Sequence, residues 1–202
     1  MYCKFVILGI FCPFFGLIID TLRSKKNAEI SDVTVSSYIK HLEDSFLISE
    51  SKRYDVRGKA YFDFPNKYYC EDVGLRNARI GFRQQEMTHI MENIIYNELK
   101  IRGFSVDVGV VFSRELNQNK NSVRVPHEID FVASKGSKKV YIQSAFALSS
   151  EEKIKSELKP FSLTGDSFSK IIVRGDIKKR WYDENGILNI GITDFLTDES
   201  IV

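Results

Sequence analysis

The sequence lacks the cysteine patterns that would assign it to several common protein classes. It has only three cysteines, and they are widely spaced: Cys3, Cys12 and Cys70. No Cys-x-x-Cys pair is present, so the spacing indicates neither a zinc ribbon nor a disulfide framework. A reducing cytoplasm is therefore the expected compartment.

Motifs for nucleotide binding and hydrolysis are also missing. The chain has no G-x-x-x-x-G-K-[ST], and the nearest approach, Gly9 to Gly16, lacks the lysine that reaches the phosphates. We therefore expect no ATP binding by this chain alone. No G-x-S-x-G or Cys/His arrangement predicts a hydrolase. The three histidines lack ligand spacing, which argues against zinc, so we expect neither a metal nor a cofactor: His41, His89 and His127.

The sequence also lacks an excess of charge of one sign. The 29 basic and 27 acidic residues give a net charge of +2, which argues against a strongly basic nucleic-acid binder but allows a local patch. With 43% hydrophobic residues in 202, the chain can bury a core as one large domain or two small ones.

Residues 1–19 form the one long apolar run, and it is open to more than one interpretation. It lacks a small-x-small cleavage site, and glycines and Pro13 interrupt it. A buried helix or partner-facing surface is one alternative, and a targeting or membrane segment is the other, since length does not separate them. We favour the first, so a membrane partner is not expected.

Residues 1–69 form the first predicted unit. Apolar positions recur at helical spacing over 33–45, with Ser31 or Asp32 as the N-cap. A strand at 46–48 follows, then a predicted hairpin with a basic turn. A helix over 14–25 and a turn over 27–31 are predicted before the helix at 33–45. Helix, turn, helix and basic hairpin is the order of a small winged helix. Four basic residues of this hairpin are candidate nucleic-acid contacts: Lys52, Arg53, Arg57 and Lys59.

Residues 70–202 form the second predicted unit. A long helix is expected over 84–102, with Gly103 ending it. Strands are predicted at 105–111, 128–133, 139–144, 170–174 and 186–192. Helices are predicted at 150–159, with Ser149 or Ser150 as the N-cap, and at 193–196. Strands flanked by helices predict an α/β core.

The second unit carries one pattern with chemical meaning. Glu92 lies on the long helix, Asp130 lies on a strand, and Gln143 follows on the next strand. A helix acid, a strand aspartate and a polar residue one strand later is the layout of restriction-endonuclease-like nucleases, in which carboxylates hold magnesium. Here Gln143 replaces the final acid and Ala145 the lysine, so the pattern predicts a degenerate site.

Several segments together resemble the C-terminal region of bacterial and archaeal AAA-type ATPases, a region that includes a domain of unknown function. They are SDVTVSSYIKHLEDSFLISESKRYDVRGK, KYYCEDVGLRNAR, HIMENIIYNELKIRGFSVDVG, EIDFV and YIQSA. The resemblance covers roughly residues 20–197. It implies a winged helix followed by a restriction-endonuclease-like domain, behind an ATPase module that this chain lacks. Since that module is missing, we expect a truncated or fragmented gene or a re-started reading frame, with residues 1–19 as the seam where the ATPase module would pack.

Three functions follow as expectations. The first is a non-catalytic interaction or regulatory region, with a protein partner, an ATPase module or DNA as its partner. The second is a metal-dependent nuclease or DNA-binding protein. The third, which rests on residues 1–19 alone, is a membrane-associated or secreted protein.

Overall fold

The computed structural model describes residues 31–62, 66–79, 81–82, 86–116 and 121–202. The apolar run at 1–19, with the alternatives attached to it, and the predicted helix at 14–25 lie outside these residues. Helices in the described part are α1 (Asp32–Asp44), α2 (Val73–Arg79), α3 (Met87–Ile101), α4 (Glu151–Ser162) and α5 (Ile192–Thr197), followed by a 3-10 turn at Glu199–Ile201. None of them is long and apolar enough to cross a membrane.

Strands in the described part form two sheets. Their bounds are β1 (Ile48–Ser51), β2 (Arg53–Asp55), β3 (Ala60–Tyr61), β4 (Lys67–Cys70), β5 (Ser105–Leu116), β6 (Ser122–Lys135), β7 (Lys138–Ala145), β8 (Ser169–Arg174), β9 (Trp181–Tyr182) and β10 (Leu188–Gly191). Strands β1 and β4 pair antiparallel, and the other eight run in the order β3-β2-β5-β6-β7-β8-β10-β9. The fold class is α/β, as the sequence predicted.

The large sheet is mixed. Strands β5, β6 and β7 form an antiparallel meander, α4 follows, and β8 returns parallel to β7. Strand β10 continues parallel to β8, whereas β2 lies parallel to β5 at the other side. A parallel return after a helix is the usual connection for such strands.

Apolar residues cover both faces of this sheet. On one face α3 and α5 supply Ile95, Leu99 and Phe195 to a core that includes Phe131 and Ile142. On the other face α4 packs its Phe161 against Ile129, Val132, Tyr141 and Ile172. The site described below lies on the α3 face.

Predicted caps and helices are largely found. Ser31 caps α1 by accepting a hydrogen bond from the Thr34 backbone N–H at 3.1 Å. Ser150 caps α4 in the same way through the N–H of Lys153. Each side-chain oxygen satisfies a backbone donor that has no partner within its helix.

The predicted basic hairpin differs from the winged-helix expectation in its position. Strands β2 and β3 pair with each other, and β2 also pairs with β5, so the hairpin extends the large sheet. The boundary at residues 69 and 70 falls inside the pairing of β1 with β4, where Cys70 is the partner of Ile48. The first unit therefore shares strands with the second.

Candidate functional site

A buried lysine lies among three carboxylates on the α3 face of the sheet. The Lys67 Nζ is 2.6 Å from Glu128 Oε1, 2.8 Å from Glu92 Oε1 and 3.6 Å from Asp130 Oδ1. Its side chain is only 12% exposed. We call Lys67, Glu92, Glu128 and Asp130 the lysine–carboxylate cluster.

Two further side chains complete the polar contacts of this cluster. Arg53, at the start of β2, places Nη1 2.6 Å from Glu128 Oε2. Tyr69, two residues after Lys67 and on the same side of β4, donates its hydroxyl to Glu92 Oε1 at 2.8 Å. Residues before position 70 thus supply both cations, and later residues supply the acids.

A bulge in β6 directs Asp130 toward the cluster. Gly109 pairs with Ile129 and Asp107 pairs with Val132, so two residues of β6 lie opposite the single residue between them on β5. Such a bulge shifts the alternation of the strand and turns a side chain to a new direction. It lets Asp130 face the cluster while Phe131, the next residue, packs in the core of the same face.

Gly109 leaves the space that this arrangement needs. A Cβ at this position would lie 2.8 Å from Val132 Cγ2 and 2.9 Å from Ile129 Cβ, closer than real carbon contacts. Both neighbours are fully buried in the α4-side core. The close approach of β5 to β6 beside the bulge therefore depends on glycine.

Burial and neighbouring charges shift the pKa values of the cluster in different directions. Burial raises the pKa of Asp130 to about 8, although Lys67 opposes that change. Burial would also raise the pKa of Glu128, but Lys67 and Arg53 outweigh it and hold that pKa below its usual value. Burial lowers the pKa of Lys67, but the three carboxylates reverse this and raise it above the usual value.

This titration has a measurable consequence. Below about pH 4 the Asp130 carboxyl is protonated whether the chain is folded or unfolded; between pH 4 and 8 only the unfolded chain loses that proton. The free energy of unfolding should therefore fall as pH rises through this range. We expect wild type to lose at least about 1 kcal/mol relative to Asp130→Asn between pH 5 and 8, the equivalent of one pKa unit. Urea unfolding at both pH values measures the difference, and parallel pH curves for the two proteins would contradict it.

Gln143 and Ala145, the positions predicted to end the site, face the other side of the sheet. Ala145 and Tyr141 pack in the core under α4, and Gln143 alternates in phase with them. The Gln143 amide donates to Glu157 Oε2 of α4 at 2.8 Å, and its oxygen accepts the Asp130 backbone N–H at 3.3 Å. Gln143 therefore adjoins the backbone of Asp130 but not the lysine–carboxylate cluster.

Ser144 is the residue of β7 that reaches the cluster. Its backbone N–H donates to Asp130 Oδ2 at 2.8 Å. Its hydroxyl is buried and has no hydrogen-bond partner among the described residues. On the cluster side, the end of β7 thus offers one neutral hydroxyl in place of an acid or a lysine.

Divalent metal binding finds no ready site in the described part of the chain. Within it, no three His, Cys, Asp or Glu side chains are grouped so as to hold a metal ion. The three carboxylates of the cluster converge on an ammonium group instead. Lys67 Nζ lies where their oxygens would otherwise meet a cation.

The predicted nucleic-acid contacts are divided between two places. Arg53 is 12% exposed and pairs with Glu128 in the cluster. Lys52, Arg57 and Lys59 are exposed along the same hairpin, and Lys59 adopts a left-handed backbone with φ of 52°. These three residues remain available to solvent, whereas Arg53 belongs to the interior.

The residues that sequence reasoning missed are Lys67, Tyr69 and Ser144. Lys67 and Tyr69 lie at the end of the first predicted unit, without a predicted role, and Ser144 lies next to Gln143, the position chosen instead. The sequence signal was that Lys67 and Tyr69 alternate in a short strand, so their side chains lie on the same face. The Tyr69 ring is 5% exposed, so a lysine on that face is expected to be buried as well.

Comparison with known proteins gives little functional guidance. No family model matches the chain. An uncharacterized protein of Haemophilus influenzae is 34% identical over 180 residues, which cover 88% of this chain and 40% of that protein. A solved structure of a Vibrio cholerae protein aligns with 96% of this chain and 50% of its own, at 13% identity and a TM-score of 0.35, too low to support any argument. The chain thus spans under half of the Haemophilus relative.

Proposed function

We propose that this chain is a catalytically inert interaction region whose nuclease-like site holds a lysine in place of a metal ion. The observation that carries the proposal is the position of Lys67 Nζ, 2.6 to 3.6 Å from three carboxylates of two different elements. An ammonium group satisfies these acids and leaves no open coordination position for a water or a phosphate oxygen.

The order of elements supports the nuclease-like interpretation. A helix with an acid (α3), an antiparallel meander with an aspartate on its second strand (β5 to β7), a helix (α4) and a parallel strand (β8) follow one another. This is the layout that the resemblance to restriction-endonuclease-like domains implies. Glu92 on α3 and Asp130 on β6 are the residues that we propose as the counterparts of its metal ligands.

The chemistry at the same place supports inertness. Magnesium keeps several waters and usually binds through carboxylates together with substrate phosphates. Here the carboxylates are occupied by Lys67 and Arg53, and the cluster side of β7 ends in Ser144. A hydroxyl supplies neither the charge of an acid ligand nor the positioned cation that commonly contributes a few kcal/mol to such reactions.

The proposed partner is an ATPase module of the AAA type or another protein. The support is the resemblance of the segments quoted above, together with the length of the Haemophilus relative. More than half of that relative lies outside the match, which leaves room for a further module in it. An inert nuclease-like domain would then act as a folded platform for contacts.

A metal-dependent nuclease is the second candidate, because three carboxylates do converge. It would require a metal ion to displace Lys67 from the cluster. Metal binding and cleavage by the unaltered chain separate the two candidates.

For the unaltered chain, we expect no cleavage of DNA or RNA with magnesium or manganese. Calorimetric titration with Mn²⁺ should show binding no tighter than the millimolar range, about −4 kcal/mol. The assays should include single-stranded and duplex substrates and an active nuclease as the positive control. Reproducible cleavage that disappears in Asp130→Ala would support the nuclease and overturn the proposal.

A further inference from the structure

A second surface, on the α4 face of the sheet, combines exposed aromatic rings with a lysine. Tyr54 and Tyr61 lie side by side on β2 and β3, and their ring centroids are 5.3 Å apart. Lys139 lies near the start of β7, and Phe168 immediately precedes β8. We call Tyr54, Tyr61, Lys139 and Phe168 the aromatic–lysine patch.

The lysine lies between the two groups of rings. Lys139 Nζ is 5.4 Å from the centroid of Tyr54 and 5.4 Å from that of Phe168. Among the described residues it forms no ion pair, so its charge faces rings and solvent. Tyr61 and Phe168 are 59% and 42% exposed, which leaves ring surface accessible on both sides of the ammonium group.

Hydrogen bonds beneath the patch hold its rings in place. The Tyr61 hydroxyl donates to Asp107 Oδ2 at 3.0 Å. Phe168 meets the buried ring of Tyr141 edge-on at 6.2 Å, and Tyr141 donates to Asp166 Oδ2 at 2.7 Å. Rings held in this way lose little conformational freedom when a ligand stacks on them.

The surrounding charge favours an anion. Three positive charges lie close enough to lower the pKa of the Asp107 carboxyl, those of Lys52, Lys100 and Lys139. Burial is the largest influence on this carboxyl, and the net effect raises its pKa. Asp107 and Asp166 also accept tyrosine hydroxyls, which turns their oxygens toward the protein.

We propose that the aromatic–lysine patch binds single-stranded nucleic acid. One base stacks on Tyr61, a second stacks on Phe168, and the phosphate between them meets Lys139. Every base has a flat face that can stack on an aromatic ring, whereas a duplex hides those faces within its own stack. An acidic polypeptide would satisfy the lysine but would make no use of the ring faces.

This inference is independent of the lysine–carboxylate cluster. The two sites lie on opposite faces of the sheet, and binding here requires no metal and no cleavage. Failure of one proposal therefore leaves the other standing.

Fluorescence anisotropy with a labelled oligo-dT of about 15 nucleotides tests the patch in the full chain. Tyr61→Leu and Phe168→Leu remove the rings but keep apolar side chains, and each should weaken binding about tenfold. Lys139→Gln should weaken binding and lower the slope of log K against log salt by about 0.7. Trp181→Leu is the matched control, since Trp181 is 43% exposed at the opposite end of the sheet and should leave affinity unchanged.

Competitors and circular dichroism complete the design. Circular dichroism should show each variant folded; if Tyr61→Leu is not, Phe168→Leu and Lys139→Gln carry the test. A matched duplex and polyglutamate should compete poorly with oligo-dT. The proposal is overturned if wild type does not bind oligo-dT at millimolar protein, or if the folded ring variants bind as tightly as wild type. Polyglutamate binding equal to that of oligo-dT would assign the patch to an acidic polypeptide instead.

Discussion

Lys67→Met should lower the free energy of unfolding by about 3 to 5 kcal/mol at neutral pH, because removing one partner leaves buried charges uncompensated. Glu92 would keep only the Tyr69 hydroxyl, and Glu128 would keep Arg53. Methionine preserves most of the volume of the lysine side chain, so the loss reports charge more than packing. Denaturant unfolding of both proteins measures the change.

A matched substitution on the surface separates this effect from the general cost of losing a lysine. Lys40 pairs with Asp44 on α1 at 3.0 Å, but both side chains are more than half exposed. Lys40→Met should therefore leave the free energy of unfolding almost unchanged. Equal losses in the two variants would mean that the buried cluster contributes no more than a surface ion pair.

The same Lys67→Met variant should gain a response to manganese. With the ammonium gone, Glu92, Glu128 and Asp130 lose the cation that they share, and oxygen ligands of this kind suit Mn²⁺. Millimolar Mn²⁺ should raise the melting temperature of Lys67→Met but leave wild type unchanged, since a ligand that binds only the folded state stabilises it. Adding Asp130→Asn should abolish the gain, whereas adding Gln143→Glu should not increase it because Gln143 faces α4. No thermal shift in Lys67→Met would show that the carboxylates cannot share a metal.

Asn93→Leu should destabilise the chain by about 2 to 4 kcal/mol. Asn93 is fully buried on α3, accepts the backbone N–H of Cys70 at 2.9 Å and donates to its carbonyl at 2.8 Å. Leucine fills a similar volume but leaves the N–H without this partner, and each buried polar group left unsatisfied costs about 1 to 3 kcal/mol. Amide exchange at Cys70 should accelerate along with the loss in denaturant unfolding.

Asn97 provides the control for this substitution. It donates from the same helix to the Cys70 and Glu71 carbonyls, both at 3.0 Å, but it is only half-buried. Asn97→Ala should cost about 1 kcal/mol because Cys70 retains its contacts with Asn93 and water can reach the site. A larger loss from Asn97→Ala than from Asn93→Leu would contradict this account.

The helices and central strands could be predicted because their patterns are local. The apolar spacing of α3 and the alternation around Phe131 depend on residues a few positions apart. Ser31 and Ser150 could be predicted as caps for the same reason. These elements set the α/β class without knowledge of any long-range contact.

The site could be predicted only in part. Glu92 and Asp130 both contact Lys67, but which side chains of β7 face them depends on the pairing register of β7 with β6. A shift of this register by one residue would turn Gln143 rather than Ser144 toward the cluster. The register also depends on the bulge beside Asp130, and no local sequence pattern predicts that bulge. Lys67 could not be found because its partners lie 25 and more positions away along the chain.

The position of the basic hairpin depends on the same kind of long-range contact. A short strand with a basic turn fits a winged helix as well as the edge of a larger sheet. Parallel pairing of β2 with β5 joins segments more than 50 residues apart, and no local pattern encodes it.

Because Arg53 and Lys67 precede the acids that they neutralise, the segments on either side of residue 70 must be inherited together. A recombination or truncation that began at residue 70 would carry Glu92, Glu128 and Asp130 into a new protein without either cation. Such a product would be unstable or would have to acquire a metal ion. The order of these charged residues along the sequence therefore limits the positions at which a gene rearrangement can divide this chain and still yield a folded protein.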